Sequence, residues 1–186
     1  MSTLDPAFFN RATQEVARDL LGKYLYRRTA DGRLYRAIIS ETEAYHGTED
    51  LGCHCAKGYT PRTSVMFGLP GRFYVYLIYG MYEMLNVVTM PEGFPSAVLI
   101  RGLTKPQVLT DGRFEDIKVK TDGPGKLTRW MQIDRRFNGL PAAPETGLWI
   151  ADEGLKPKKI TQTPRIGIDY AGEWKHKPWR YVLGEW

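Results

Sequence analysis

The sequence predicts an α+β fold: a single mixed domain over residues 1–186, built around a curved, mostly antiparallel β-sheet with a protruding β-hairpin. Three observations predict it. The middle of the chain is a succession of β-prone runs joined by short glycine-bearing turns, the pattern of an antiparallel meander. Helical patterns flank that meander rather than alternate with its strands. The chain has 186 residues, 42% of them hydrophobic and 25% charged, with no internal repeat and no linker to divide it, which suits one compact domain.

The elements follow in order. Asn10 is placed to cap a helix reaching about Leu21, with Ala12, Val16 and Leu20 on one face and Gly22 as its stop. Residues 23–28 read as a strand, Ala30-Asp31-Gly32 as a turn, and residues 34–43 as the returning strand. A polar, glycine- and proline-bearing segment spans 46–70, a length that in a compact domain usually marks a functional loop. Residues 72–79, containing Phe-Tyr-Val-Tyr-Leu-Ile-Tyr, form a strongly β-prone run; Gly80-Met81 is the tip, 83–90 the return, and 96–102 a further strand. Residues 121–133 turn helical after Asp122-Gly123-Pro124-Gly125-Lys126, and 148–151 and 181–183 are short strand candidates.

Composition narrows the function. With 26 Lys+Arg against 21 Asp+Glu the net charge is +5, which permits a polyanionic partner without demanding one. The two cysteines, Cys53 and Cys55, cannot build a disulfide framework, so the chain reads as intracellular. The first ten residues lack the pattern of a secretory signal. The longest apolar stretch, 73–82, is half of the roughly 20 residues a spanning helix needs. A soluble, cytosolic protein with no membrane contact is expected, and nothing calls for an oligomer, so a monomer is expected.

Several clusters could carry chemistry. In Glu41-Thr42-Glu43-Ala44-Tyr45, period-two alternation puts Ile39, Glu41, Glu43 and Tyr45 on one strand face. A carboxylate beside apolar neighbours is tuned toward base chemistry; one at a sheet edge is only solvated, and the residues alone leave both open. Tyr74 and Tyr76 share a face suited to stacking on a base, and Tyr79 sits near the tip as a potential wedge; taken one at a time, each is read first as ordinary sheet packing. Arg101, ending an apolar strand, needs a glutamate or an external anion as partner. Asp122-Gly123-Pro124-Gly125-Lys126-Leu127 is no Walker loop, because Lys120 and Leu127 stand where Gly and Ser or Thr are required; it reads as a tight turn or a phosphate contact. Cys53-His54-Cys55 has C-x-C spacing and no second ligand pair, so no metal and no cofactor are expected.

Together these pieces resemble the alkyladenine (3-methyladenine) DNA glycosylase family. The motifs are Glu41-Thr42-Glu43-Ala44-Tyr45, Thr60-Pro61-Arg62, Met66-Phe67, the run from Tyr74 through Tyr82, Asn86-Val87, Leu99-Ile100-Arg101, Gly123-Pro124-Gly125-Lys126-Leu127, and Ala171-Gly172-Glu173-Trp174 with Lys177-Pro178. They run in order along nearly the whole chain. The resemblance implies base-excision repair: hydrolysis, without strand cleavage, of the N-glycosidic bond of alkylated or deaminated purines flipped out of damaged double-stranded DNA approached from the minor groove. It implies Glu43 as the general base with Arg101 beside it, Tyr45, His54 and Tyr76 as walls of the base pocket, Asn86 as a pocket residue screening base edges, and Tyr79 as the wedge that intercalates in the DNA. Two departures bear on selectivity: cysteines flank His54, where small or hydroxyl residues are usual, and Thr63 stands where Asn is common. The alternatives are a non-catalytic nucleic-acid-binding module with a tyrosine stacking platform and a metal-dependent hydrolase centred on Cys53-His54-Cys55.

Overall fold

The computed structural model describes residues 2–185. Its frame is a ten-stranded sheet whose main path runs β1 (Ser2–Thr3), β8 (Leu148–Asp152), β2 (Tyr24–Arg28), β3 (Leu34–His46), β6 (Ser96–Thr110), β5 (Tyr82–Val88), β4 (Phe73–Ile78). Off this path β7 (Arg113–Asp116) pairs with β6, and β10 (Arg180–Glu185) pairs with both β3 and β9 (Lys159–Thr163). Every pairing is antiparallel. Strand β3 is the hub: its first half lies beside β2, its second half beside β10, and β6 runs along the whole of it. The α+β class, the antiparallel sheet and the hairpin β4–β5 are as predicted.

Alternation along the strands sorts side chains onto two faces. Phe73, Val75, Leu85, Val87, Val98, Ile100 and Ala44 face helices α2 (Thr13–Asp19) and α3 (Pro124–Trp130) and form the main core. Each large aliphatic side chain sealed there contributes roughly 1.5–3 kcal/mol. On the opposite face Tyr74, Val88, Ala97 and Tyr45 are covered by the 46–70 segment through Cys53, Cys55 and Met66. That segment is not bare loop; it carries two 3₁₀ turns, His54–Lys57 and Ser64–Phe67.

Several local expectations are corrected. Asn10 is the C-terminal cap of a one-turn helix α1 (Pro6–Phe9), and α2 starts after Ala12 with no side-chain cap. The buried positions of α2 are Thr13, Val16 and Ala17, with Leu20 just beyond its end, whereas Ala12 is exposed. Strand β3 runs on to His46 and β6 on to Thr110, because each finds a partner along its extension. The short polar strands β1, β7 and β9 exist through their pairing partners rather than through β-propensity.

One correction decides where the chemistry sits. Ile39 does not share a face with Glu41 and Glu43. Of the three shifts in the β3–β6 register, two adjoin these residues, from Ile39↔Leu103 to Glu41↔Gly102 and on to Thr42↔Ile100. Ser40 on β3 and Arg101 on β6 are the extra residues of two compensating bulges. Before the bulge, Ala37 and Ile39 face the helices; after it, Ala44 does, and the Thr42 hydroxyl donates to Ala17 O at 2.7 Å. Glu41, Glu43 and Tyr45 are thereby turned out of the apolar core and onto the other face, a re-aiming that bulges commonly perform.

The Gly123–Lys126 motif proves structural. Gly123 caps α3 in extended backbone, Pro124 opens the helix, and Lys126 pairs with Asp122 at 2.8 Å. A Cβ on Gly125 would lie 2.6 Å from Tyr82 Cδ1 and 3.1 Å from its Cγ. The helix and the turn end of the β4–β5 hairpin touch through a position with no room for a methyl group. Gly125→Ala is therefore expected to cost about 1–3 kcal/mol in urea unfolding, as overpacked sites do, and a stability equal to the parent would refute this contact.

Candidate active site

The register assembles a row of residues across the sheet. Glu43 on β3 pairs with Leu99 on β6 and Arg180 on β10; Leu99 pairs with Asn86 on β5, and Asn86 with Tyr74 on β4. Directly opposed residues share a face, so Leu99, Asn86 and Tyr74 of this row floor a cavity of about 590 Å³, a size typical of small-molecule sites. Tyr45, His54, Tyr76, Asn86, Arg101 and the shaft of Tyr79 line it, together with Arg62, Tyr74 and the segment Ile166–Tyr170. Six of the seven site residues expected from sequence therefore meet at one cavity.

The seventh, Glu43, stands directly behind the wall. Its side chain has no exposed surface. Oε2 accepts from the Tyr45 hydroxyl at 2.7 Å, Oε1 accepts from the Ile166 N–H at 2.8 Å, and Arg101 Nε lies 3.6 Å from Oε1. Burial raises the pKa of Glu43 above the usual carboxylate value, and Arg101, the Tyr45 hydroxyl, the Ile166 N–H and Arg165 oppose that rise. Both oxygens already receive donors, which is the arrangement of an ionised carboxylate. Tyr45 has its phenol pKa raised by burial and by the neighbouring Glu43 charge, so it remains a donor.

Arg101 is shared. Its Nε donates to Glu41 at 3.0 Å, closer than its contact with Glu43, and Arg180 Nε donates to the same Glu41 oxygen at 2.6 Å. Sequence reading set the two glutamates as rivals for one role. The structure gives them different environments: Glu41 is clamped between two guanidinium groups, while Glu43 sits deeper, with Arg101 as its main compensating charge and two neutral donors on its oxygens.

The aromatic wall is built from the hairpin and the 46–70 segment. The His54 ring is 4.5 Å from that of Tyr76 at an interplanar angle of 65°, and its Nδ1 lies 3.1 Å from the Tyr74 hydroxyl. Burial, with Arg62 and Lys57 nearby, lowers the His54 pKa to about 4, so the ring is neutral at physiological pH. Cys53 and Cys55, set aside from sequence as unable to form a framework, are joined to each other. The bridge spans only three residues and ties no elements together, but it brackets His54 on the wall. Among the described residues no three His, Cys, Asp or Glu side chains stand close enough to share a metal. Asn86 donates its amide nitrogen to the Tyr74 carbonyl at 3.0 Å, which fixes the amide's orientation across the β4–β5 pair.

Tyr79 occupies the hairpin tip. The tight turn Ile78–Met81, closed by Met81 N–H to Ile78 O at 3.1 Å, has positive φ at both central residues, Tyr79 at 50° and Gly80 at 67°. This is the backbone of a I′ hairpin turn, which favours Asn, Asp or Gly at its first central position. A bulky residue there is strained, and its ring is 85% exposed beside Met81. Packing does not account for it.

Sequence reasoning missed the Ile166–Tyr170 wall and the donors Ile166 and Arg180. A backbone N–H leaves no residue signature, and nothing local marks residue 166 as a neighbour of residue 43. Among the described residues no helix is long and apolar enough to cross a membrane.

The family model of methylpurine-DNA glycosylase matches residues 7–185. Relatives bearing the name "Putative 3-methyladenine DNA glycosylase" include one from Methanocella arvoryzae, 47% identical and covering 97% of this chain and 92% of its own. One from Psychrobacter cryohalolentis is 43% identical with the same coverages, and one from Sodalis glossinidius is 45% identical over 96% of this chain and 95% of its own.

Proposed function

The chain belongs to the methylpurine-DNA glycosylase family, DNA-repair hydrolases acting on the N-glycosidic bond; from that premise we propose that it excises alkylated and deaminated purines, of the 3-methyladenine, ethenoadenine and hypoxanthine class, after flipping them from duplex DNA into the cavity described above. One observation carries the proposal. A buried carboxylate, Glu43, is held in its ionised arrangement immediately behind an aromatic cavity whose mouth lies beside a strained, exposed tyrosine.

In this mechanism Tyr79 enters the duplex from the minor groove and fills the space the base vacates, offsetting part of the few kcal/mol that flipping costs. The base stacks among Tyr45, His54 and Tyr76. A neutral His54 adds no positive charge to repel an alkylpurine cation, which the tyrosine faces attract. As the C1′–N bond breaks, its electron pair leaves with the base, and the sugar takes on oxocarbenium character. The Glu43 charge stabilises that cation, and water adds to C1′ as its proton passes to Glu43. In the structure Tyr45 donates to Glu43 Oε2; a carboxylate oxygen carries a second lone pair, and that one takes the proton from water. Arg101, held by Glu41, keeps positive charge at Glu43 without binding it rigidly.

The test is direct. The protein is incubated with EDTA and duplexes bearing a single 3-methyladenine, ethenoadenine or hypoxanthine. Free base with an intact abasic strand is the expected product; strand cleavage, or binding without release, overturns the proposal. A pH profile adds a second check. Single-turnover release is expected to fall on acidification along a limb lying above the ordinary carboxylate range, because burial raises the Glu43 pKa. His54, with a pKa near 4, contributes no limb near neutrality. A limb at pH 6–7 that vanishes in His54→Gln is the contrary result.

A further inference from the structure

Of the two donors that Glu43 accepts from, only Tyr45 lies on its own strand. The other, the Ile166 N–H, belongs to the irregular segment between β9 and the 3₁₀ stretch Asp169–His176. Residues 164–167 belong to no strand or helix, and the 3₁₀ bond that starts at Ile168 O does not fix them. The neighbouring side chain, Arg165, does. Its guanidinium is entirely buried and forks onto Asp50, Nη1 to Oδ2 at 2.6 Å and Nη2 to Oδ1 at 2.7 Å. Nη1 also donates to Ala44 O at 2.9 Å, and Nη2 to Trp174 O at 3.4 Å. The guanidinium carbon lies 4.7 Å from the Tyr45 ring centroid and 5.1 Å from that of Trp179.

Asp50 is equally buried and has further ties. It accepts the His46 N–H at 3.1 Å and the Gly52 N–H at 3.0 Å. The pair therefore fastens three walls of the cavity together: the end of β3 that carries Tyr45, the approach to His54, and the segment that presents Ile166. A Cβ on Gly52 would stand 3.0 Å from Arg165 Nη2 and 3.2 Å from Asp50 Oδ1, so the clasp closes against a bare glycine. A fully buried ion pair is a poor device for stability alone, because apolar side chains of similar size often do as well. Its geometry here points to another use.

We propose that Arg165 and Asp50 are positioning residues for base excision: the clasp sets the Ile166 N–H against Glu43 Oε1 and the Tyr45 hydroxyl against Oε2, so that the carboxylate meets both donors at once. The inference rests on the proposed role of Glu43. Loosening the clasp weakens the donors that favour the ionised form, which lowers the chemical rate and moves its acid limb upward while leaving duplex recognition intact.

The experiment measures single-turnover release of hypoxanthine from duplex DNA across pH, and binding to duplex containing a stable abasic-site analogue. Arg165→Lys keeps the charge but loses the fork. It is expected to lower the plateau rate about tenfold, through misplaced donors in the transition state, and separately to raise the acid limb by about one pH unit. Abasic-duplex affinity is expected to stay within about threefold, the change expected where the interaction serves the chemical step. Gly52→Ala, which crowds the clasp without removing a charge, is expected to shift rate and limb in the same direction by less. Asp50→Asn is expected to follow Arg165→Lys. Parent-like rate and limb in folded Arg165→Lys, or a loss seen only in affinity, overturns the proposal. Should Arg165→Lys and Asp50→Asn fail to fold, a folded Gly52→Ala with the parent's rate and limb overturns it equally. If the parent protein releases no base, or Glu43→Gln releases it as fast, the failure lies with the proposed function instead.

Discussion

Glu43→Gln is expected to lose base release by a factor of about 10²–10⁴, the range general-base removal commonly costs, while binding damaged duplex as the parent does. The substitution is close to isosteric. The glutamine carbonyl can accept the Ile166 N–H, and its amide can donate to the Tyr45 oxygen, so both existing contacts have a replacement. What disappears is the charge that stabilises the oxocarbenium and the lone pair that takes a proton from water. Stability should move the other way. Burial raises the folded-state pKa of Glu43 above its unfolded value. The stability such a group contributes belongs to its protonated form; it is complete below the unfolded pKa and lost as pH rises through the folded one. Above the folded-state pKa the ionised carboxylate therefore burdens the fold, and glutamine relieves it. A variant that is inactive, binds DNA and melts no lower than the parent fits a reactive group held at some cost to stability. An active variant removes Glu43 from the chemistry, and one that is inactive because it has unfolded makes the carboxylate structural.

Tyr79→Ala is expected to depress the flipped population of an ethenoadenine in duplex DNA about 5- to 100-fold, read by the fluorescence of the unstacked base. One aromatic–base stack is worth about 1–3 kcal/mol, which sets that range. The companion variant Tyr79→Gly separates the ring from the turn. At φ 50° a side chain in the left-handed region costs roughly 1–2 kcal/mol that glycine avoids. Tyr79→Gly should thus unfold at higher urea than the parent yet flip as poorly as alanine. If either variant flips the base as well as the parent, the exposed ring is not the wedge. If glycine leaves the urea midpoint unchanged, the turn carries no strain.

Much of this was legible in the residues. The hairpin follows from the alternation around Tyr74 and Tyr76 and from a glycine at the tip. The E-T-E-A-Y string helped carry the family resemblance that implied Glu43, Tyr45 and the aromatic pocket, and Arg101 was marked by its position at the end of an apolar strand. The expectations that failed were those resting on strict local periodicity. Asn10 caps no N-terminus because the chain has room for a separate one-turn helix before it. Ile39 parts from Glu41 because one extra residue at Ser40 reverses the alternation, and a bulge shows only in the pairing with β6.

The sequence by itself determined the apolar strands of the sheet, where the hairpin turns, and which few side chains have the chemistry for a base, a stack and a wedge, since these depend on residue type and on neighbours one to four positions away. The tertiary structure alone decided which face Glu43 meets, that Glu41 rather than Glu43 is the nearer partner of Arg101, and that the Ile166 N–H and the Arg165–Asp50 clasp converge on the same carboxylate. Those contacts join residues up to 123 positions apart. Their strength comes from burial and direction, neither of which exists until the sheet has closed its register.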